Sequence, residues 1–200
     1  LNESERTKMI DDTFVALPVE TVDIYTVNTG YLLSIHDIFE TLSTIELSVM
    51  YWKKDLDVFN DATDMIVYGD EGNLIKFITP NNVGGVELEV SNSTETVSLK
   101  TDDGIVVTNS WNLFTFVIKY NTLSTTIEIF VNSVLSGTIT KTNFVPFENL
   151  SVLNAYLGND PRTSNDISPS IVEDFRIYNK ALKEYDIYRI YAVNTRSSAL

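Results

Sequence analysis

The sequence predicts an all-β fold in which two antiparallel sheets stack as a β-sandwich and one α-helix lies at the C-terminal end. Short segments of alternating apolar and polar residues recur along the 200 residues, separated by Gly, Asn, Asp and Pro, which is typical of antiparallel strands. There are about a dozen such segments, too many for one open sheet. Only the segment from Leu182 to Val193 carries the broad apolar stripe of a helix that buries one side.

The clearest alternation lies in the segment GVELEV, where Val86, Leu88 and Val90 share one face of a strand. Glu87 and Glu89 occupy the other face, so one face of the strand is expected to be buried and the other exposed to solvent. The segments LFTFVIKY and TTIEIFV alternate in the same way, and the short link NTLS between them predicts a β-hairpin. Further strands are predicted at TFVALPV, YLLSI, DMIVYG, NLIKFI, TVSLK, GIVVT, VLSGTIT and NAYLG.

The segment TIELSVMYW is also predicted to be a strand, and it is apolar on both faces toward its end. Met50 and Trp52 form one of these faces. Trp111, which opens the next aromatic strand, is expected to be structural. The other face of TIELSVMYW carries Ile45, Leu47, Val49 and Tyr51.

Composition and charge exclude several classes of function. The net charge of −14 and the pI near 4.3 oppose binding to nucleic acid, because phosphate contacts need clustered Lys and Arg. The chain contains no cysteine, which excludes disulfides, thiolate metal sites and cysteine nucleophiles. His36 is the only histidine, so no two-histidine metal site can form, and no nucleophile-elbow motif accompanies it.

The chain is expected to form a single domain over residues 1–200, with residues 1–12 as an extended arm. No internal repeat or linker-like stretch divides it. Its apolar runs are far shorter than the roughly 20 residues that cross a bilayer, so no membrane insertion is expected. Because the sequence starts at Leu1 rather than Met, we expect that it was cut from a longer polypeptide.

The most patterned stretch is IVEDFRIYNKALKEYDIYRIY, which begins at Ile171. Regular alternation places Asp174 and Arg176 on one side of a strand, where they are expected to form a partly buried pair that fixes register. The segment NKAL then turns the chain into a helix that covers the sheet. The helix residues expected to face the sheet are Leu182, Tyr185 and Tyr188.

Four segments follow one another in a characteristic order: TIELSVMYW, SWNLFTFVIKY, TTIEIFVNSVLSG, and the C-terminal stretch with AYLGND ahead of it. Together they resemble the concanavalin A-like jelly rolls, in particular the laminin G-like and pentraxin-like group. They extend from Thr44 to Ala192, most of the chain. The resemblance implies a jelly-roll sandwich, that is, one laminin G-like domain.

The sequence departs from this family's pattern at two positions that bear on local structure. Ser133 stands where a turn glycine is expected, although serine tolerates a positive φ less well. Lys183 stands where a serine usually caps the last helix, so a cap that contributes ~1 kcal/mol is missing or supplied by another residue.

Some relatives with this fold are β-glucanases, which use carboxylates at alternate positions of one strand. Glu87 and Glu89 are the nearest match, and their Cα atoms would lie ~6.6 Å apart on a strand. The third position is occupied by Ser91 on one side and Gly85 on the other. The pattern is incomplete, and an ordinary solvent-facing strand accounts for it. A divergent glycoside hydrolase therefore remains only a third hypothesis.

Many relatives bind calcium through oxygen ligands in rim loops. Asn159, Asp160 and Asp166 are the candidate metal ligands here, because they occupy a long loop at one end of the sandwich. Asp and Asn are also the usual turn residues, so turn formation is the alternative for this cluster. No other cofactor is expected. The remaining acidic clusters, of which none has EF-hand spacing, contain Asp55, Asp57, Asp61 and Asp64; Asp70 and Glu71; and Asp102 and Asp103.

Sugar-binding modules of this type stack exposed aromatic rings on pyranose faces. The candidate ligand-binding residues are Trp52, Tyr68 and Tyr156, with Tyr31 as a further aromatic. The alternative is the core, to which an aromatic residue on an alternating strand more often belongs.

The resemblance and the absence of a catalytic constellation favour a non-catalytic recognition or adhesion module that binds a glycan or a protein. Its expected location is extracellular, at a cell or particle surface such as a virion. The alternative is a structural or decoration domain of a phage or virus particle or another surface assembly, whose partners would be other subunits.

Overall fold

The computed structural model describes residues 24–26, 33–34, 46–56, 63–69, 72–81, 83–146, 154–158, 160–162, 170–178 and 180–197. The expected arm at 1–12, the predicted strand TFVALPV, Tyr31 and His36 lie outside this part of the chain. Among the residues described, no helix has the length and apolar character needed to cross a bilayer.

The described residues form twelve strands and a C-terminal helix, which confirms the predicted all-β sandwich. The strands are β1 (Ile24–Thr26), β2 (Leu33–Ser34), β3 (Leu47–Asp55), β4 (Thr63–Tyr68), β5 (Leu74–Ile78), β6 (Glu87–Ser91), β7 (Thr96–Lys100), β8 (Trp111–Asn121), β9 (Ser124–Val131), β10 (Val134–Thr142), β11 (Asn154–Leu157) and β12 (Ser170–Tyr178). The helix, α1, spans Glu184–Ser197.

Two six-stranded sheets make up the sandwich. The first sheet has the strand order β1-β12-β3-β8-β9-β10, and the second has the order β2-β11-β4-β5-β6-β7. All of these pairings are antiparallel. Strands that are distant in sequence therefore lie side by side, and the C-terminal strand β12 pairs with β3 in the interior of the first sheet.

The main core lies between the two sheets and is built from alternate residues of the strands. Val86, Leu88 and Val90 are completely buried, while Glu87 and Glu89 on the other face of β6 keep partial exposure, as the alternation predicts. Across the core, the rings of Phe77 and Phe116 stack with centroids 4.1 Å apart. This contact joins β5 of the second sheet to β8 of the first.

The predicted hairpin between β8 and β9 is present. Phe116 pairs with Ile129 and Ile118 pairs with Ile127, so the apolar residues of both strands share the core face. The side-chain oxygen of Asn121 accepts hydrogen bonds from the backbone N–H groups of Leu123 and Ser124, each at 2.9 Å. An Asn side chain that bonds to nearby backbone in this way stabilises a tight turn.

The turn between β9 and β10 forms without the expected glycine. Asn132 and Ser133 have φ angles of 51° and 67°, which are the two positive values of a type I′ turn. The Asn132 side chain supports this conformation, because it accepts a hydrogen bond from Leu113 N–H at 2.9 Å and donates one to Asn112 at 3.0 Å. Contacts to the neighbouring strand thus hold Ser133 in a region that serine seldom adopts.

A bulge in β12 interrupts the regular alternation that was expected for IVEDFRIY. Glu173 pairs with Trp52 and Arg176 pairs with Met50, so Asp174 and Phe175 together oppose one residue of β3. Asp174 adopts a φ of 53°. The extra residue shifts the phase, so Val172, Phe175 and Ile177 all enter the main core. The predicted regular alternation is therefore broken at the bulge: Phe175 and Ile177 still share a face, but Val172 lies on that face too.

The predicted pair between Asp174 and Arg176 does form. Arg176 Nε donates to Asp174 Oδ1 at 2.7 Å, and Nη2 donates to Oδ2 at 2.6 Å. The two side chains are 16% and 19% exposed, so the bidentate pair is shielded from most solvent. The pair bridges the bulge within β12 by two charge-assisted hydrogen bonds.

Helix α1 covers the outer face of the first sheet, and Leu182 ahead of it is buried as expected, but the two tyrosines expected to face the sheet are not. Leu182, Ile187 and Ile190 are buried in a second apolar cluster against β3, β8 and β9. Tyr185 and Tyr188, expected to face the sheet, are 67% and 57% exposed. The helix begins at Glu184, and its 3.6-residue period then turns Ile187 and Ile190 inward and these two tyrosines outward.

Ser48 of β3 ties the start of this helix to the sheet. Its hydroxyl oxygen accepts a hydrogen bond from Leu182 N–H at 2.8 Å and donates one to Lys180 C=O at 2.9 Å. The carbonyl of Lys183 accepts from the N–H groups of Asp186 and Ile187. A residue of the sheet thus fixes the turn that the family's capping serine would otherwise stabilise.

Two further expectations are corrected by the structure. The segment GIVVT, from Gly104 to Thr108, is not a strand; Val106 is buried and its N–H bonds to Gly84 C=O at 3.1 Å. Trp111, expected to be structural, is 38% exposed at the first position of β8 and belongs to neither apolar cluster. In both cases packing of loops and strand ends overrides local sequence preference.

We predict that Ile187→Ala lowers the free energy of unfolding by about 2–5 kcal/mol, because it leaves a cavity between α1 and the first sheet. Tyr188→Ala, on the solvent side of the same helix, is the matched control and should change it by less than about 0.5 kcal/mol. Urea unfolding of both variants measures the difference. A large effect at Tyr188 with none at Ile187 would contradict this helix orientation.

Candidate functional site

Two tyrosines form an aromatic surface on the outer face of the second sheet. Met65 and Val67 of β4 and Leu157 of β11 point into the core, so the alternate residues Tyr68 and Tyr156 point outward. The two strands pair directly, which brings the rings to a centroid distance of 6.2 Å at an interplanar angle of 25°. Both tyrosines are half-buried. Local alternation thus places each side chain, and the pairing of β4 with β11 places them together.

An ion pair lies against these rings. The Arg162 guanidinium carbon is 4.7 Å from the centroid of the Tyr68 ring, a cation–π contact. Arg162 Nε donates to Asp160 Oδ1 at 3.0 Å and Nη2 donates to Oδ2 at 2.9 Å. The Asp160 side chain is 2% exposed, whereas that of Arg162 is 46% exposed. We call Tyr68, Tyr156, Asp160 and Arg162 the tyrosine platform.

The electrostatics of the platform follow from this pairing. Partial burial would raise the pKa of Asp160, but the hydrogen bonds and charge of Arg162 outweigh it and the net shift is downward. Burial and the neighbouring Tyr156 raise the pKa of Tyr68. Asp160 is therefore ionised at neutral pH and keeps Arg162 in place, while Tyr68 remains a neutral ring.

Polar groups surround the platform on the same face. Asn154 is exposed and pairs with Tyr68 across the β11–β4 ladder. Lys76 on β5 lies opposite Glu89 on β6 in the strand register. The positive charge of Lys76 acts on Asp160, and the negative charge of Glu89 acts on Arg162. Aromatic faces beside amide, ammonium and carboxylate groups can stack on an apolar ring face and hydrogen-bond to its hydroxyls.

Trp52, the third predicted ligand-binding residue, lies elsewhere. It is on the outer side of the first sheet, beneath helix α1, and its ring stacks on Tyr191 with centroids 5.8 Å apart. The structure therefore brings Tyr68 and Tyr156 together but places Trp52 on the opposite side of the sandwich. One ligand of ordinary size cannot contact all three residues.

The predicted calcium ligands are only partly described. Asp160 is engaged by Arg162, whereas Asn159 and Asp166 lie outside the described residues. Within the part of the chain that the structure describes, no group of three or more His, Asp or Glu side chains could hold a metal ion. Calcium binding by Asn159, Asp160 and Asp166 stays a prediction.

Glu87 and Glu89, the nearest match to a glucanase carboxylate pair, occupy the outer face of β6 as expected. Glu87 pairs with Lys100 at 2.8 Å and accepts a hydrogen bond from Ser98 at 3.3 Å. Glu89 faces Lys76.

A buried charge cluster, formed by Tyr51, Lys53, Asp55, Asp64 and Thr79, was missed from the sequence. Lys53 is completely buried, and its Nζ lies 2.7 Å from Asp64 Oδ1 and 2.9 Å from Asp55 Oδ1. The alternation of β3 did indicate that Lys53 and Asp55 face the core. Lys53 and Asp55 simply continue the inward series of β3, which is Leu47, Val49 and Tyr51.

A bulge brings Asp64 into this cluster. The β4–β5 register shifts between Thr63 and Met65, so Asp64 opposes no residue of β5. Its Oδ2 accepts hydrogen bonds from the hydroxyls of Tyr51, at 3.1 Å, and Thr79. Local alternation does not predict a bulge, and this explains why the inward position of Asp64 was not expected.

Burial dominates the titration of the two carboxyl groups in this cluster. It raises the pKa of Asp64 to about 7, despite the opposing charge of Lys53, and raises the pKa of Asp55 as well. Burial alone would lower the pKa of Lys53, but the charges of Asp64 and Asp55 outweigh it and the pKa is raised. Lys53 is therefore an ammonium held by two carboxyl groups, of which Asp64 binds a proton more readily than an ordinary carboxylate.

The family model described as the concanavalin A-like lectin/glucanases superfamily matches residues 28–188. None of the curated protein sequences matches the chain.

Among solved structures, the leech intramolecular trans-sialidase superposes with a TM-score of 0.66 at 15% identity over 86% of this chain, which spans 27% of that enzyme. The CBM40 module of the Ruminococcus gnavus IT-sialidase, bound to α2,3-sialyllactose, has a TM-score of 0.65 at 16% identity, covering 88% of this chain and 96% of the module. Domain 4 of the arabinanase AbnA from Geobacillus stearothermophilus, in complex with arabinotriose, has a TM-score of 0.59 at 17% identity. The match covers 90% of this chain and 81% of that domain. At these identities the likeness is one of fold.

We predict that Lys53→Ala lowers the free energy of unfolding by about 3–5 kcal/mol, because it leaves two buried carboxyl groups without their cation. Lys54→Ala, one residue along the same strand and partly exposed, is the matched control and should cost less than about 1 kcal/mol. Chemical denaturation of the two variants measures both values. Equal costs would show that the charge cluster contributes no special stability.

Proposed function

The chain belongs to the concanavalin A-like lectin/glucanases superfamily, and on that premise we propose that it is a non-catalytic recognition module that binds a glycan through the tyrosine platform. The observation that carries the proposal is the Tyr68–Tyr156 pair on an outer sheet face, with an ion pair and further polar groups around it.

The geometry of the platform suits a sugar ring. Arg162 covers Tyr68, so Tyr156 is the ring that offers a face for stacking. The amide of Asn154 and the ammonium of Lys76 supply hydrogen-bonding groups on the same sheet face. The negative charges of Asp160 and Glu89 balance the positive charges of Arg162 and Lys76, so the platform and its polar neighbours carry no net charge. Hydroxyl groups of a sugar can pair with such a mixed surface.

Structures with the same fold support this assignment. The Ruminococcus gnavus module is bound to sialyllactose and the arabinanase domain is bound to arabinotriose, and this chain covers nearly all of the first and most of the second. We propose that this chain likewise serves as a binding domain, with no catalytic role of its own, and acts outside the cell or on a particle surface.

Tyr156→Ala should weaken glycan binding at least tenfold, or about 1.4 kcal/mol, because it removes the stacking surface while leaving the core intact. Tyr185→Ala, which removes an exposed tyrosine from the opposite side of the sandwich, should bind as the wild type does. A glycan array with and without calcium identifies the ligand, and calorimetry on the best hit measures the two variants.

Two results would count against the proposal. The first is a wild-type protein that binds no glycan with or without calcium. The second is a glycan that binds Tyr156→Ala as tightly as wild type. A wild-type protein that binds no sugar but forms a stable oligomer in size-exclusion chromatography would favour the structural or decoration role instead.

A further inference from the structure

The buried charge cluster has the composition of a reaction centre. Lys53 Nζ lies between the carboxyl groups of Asp55 and Asp64, 2.9 Å and 2.7 Å away, and also donates to Thr79 C=O. The residues Tyr51, Lys53, Asp55, Asp64 and Thr79 are exposed by 6% or less. Lys53 belongs to the first sheet and Asp64 to the second, so the contact crosses the sandwich.

Charge counting shows which protonation state this site prefers. Two carboxylates and one ammonium carry a net charge of −1, which is unfavourable in a dry interior. One proton on Asp64 makes the cluster neutral, and burial raises the pKa of that carboxyl to about 7.

Hydrogen-bond geometry supports the same state. The oxygens Tyr51 Oη, Thr79 Oγ1 and Asp64 Oδ2 lie within hydrogen-bond reach of one another. Two hydroxyl protons cannot fill three contacts, and a proton on Asp64 supplies the third. Neither oxygen of Asp55 has a well-directed donor among the described residues, although Lys53 Nζ is 2.9 Å from Oδ1. Asp55 is therefore free to accept a proton from Lys53.

We propose that Lys53 Nζ and Asp64 Cγ condense to an intramolecular amide, an isopeptide bond that links β3 of the first sheet to β4 of the second. Asp55 accepts the lysine proton. Tyr51 and Thr79 hold Asp64 Oδ2, the protonated oxygen that leaves, by hydrogen bonds. Asp64 Oδ1, which lies beside Lys53 Nζ, carries the negative charge of the tetrahedral intermediate.

The step balances from the neutral state. The Lys53 ammonium gives one proton to the Asp55 carboxylate, and the free amine attacks Cγ of the protonated Asp64. The intermediate then expels the Asp64 hydroxyl, which leaves as water with a second proton from nitrogen. The products are one amide, one water molecule and a neutral Asp55 carboxylic acid, so no charge remains buried.

The position of Lys53 distinguishes it from other lysines. Lys100, Lys119 and Lys141 also form ion pairs with carboxylates, but their side chains are 62%, 40% and 44% exposed, so water hydrates those pairs. Lys53 is held against its carboxyl partner in a site without solvent access, where proximity substitutes for an external catalyst. Condensation also removes an ion pair that is costly to bury.

Intact-mass spectrometry of the purified chain tests the proposal. The wild type should be lighter than its sequence by about 18 Da, the mass of one water. Proteolysis should yield one cross-linked species that contains Lys53 and Asp64. Lys53→Arg and Asp64→Ala should both have the full sequence mass, and this readout does not depend on how stable the variants are.

Two variants distinguish this condensation from other reactions that release water. Asp55→Asn retains the side-chain shape but cannot accept the proton, so it should keep the full mass or lose water much more slowly. Asp103→Ala removes the Asp103–Gly104 step, where cyclisation to a succinimide also loses one water, and it should still show the 18 Da deficit. A wild type of full mass, or a deficit that persists in Lys53→Arg, overturns the proposal.

Discussion

Burial of β3 on both faces is the constraint on which the rest of the structure depends. Its inward residues Leu47, Val49 and Tyr51 enter the core between the sheets, while Met50 and Trp52 face outward. A strand that is apolar on both sides must be covered on both. The second sheet covers one face and helix α1 covers the other, and the neighbouring strands β8 and β12 fill the two edges. The C-terminal strand and helix thus close the fold, and Ser48 of β3 hydrogen-bonds to the turn that joins them.

The same strand carries charge into the interior at its far end. Lys53 and Asp55 follow Tyr51 on the core face, where the second sheet supplies Asp64 and Thr79. Groups that water would hydrate must here satisfy one another, which explains why one lysine contacts two carboxyl groups and a backbone carbonyl. The exposed ion pairs at Lys100 and Lys141 are under no such constraint.

Strand β4 links this dry cluster to the wet platform. Asp64 lies near its start and Tyr68 at its end, while β11 runs alongside and contributes Tyr156. The N–H of Gly158, just after β11, bonds to Asp64 C=O at 2.6 Å. The platform is therefore attached to the same strand that carries Asp64 of the buried charge cluster. A binding surface on paired strands holds its side chains more rigidly than a loop would.

The sequence by itself determined most of the strands, the β8–β9 hairpin and the C-terminal helix, because these follow from local periodicity. Only the tertiary structure decided the bulges at Asp64 and Asp174, the inward turn of Ile187 and Ile190, and the packing of Trp52 beneath the helix. It also decided that Arg162 and Asp160 join the platform. These features depend on which strands become neighbours, and contacts between residues distant in sequence are not encoded in any local pattern.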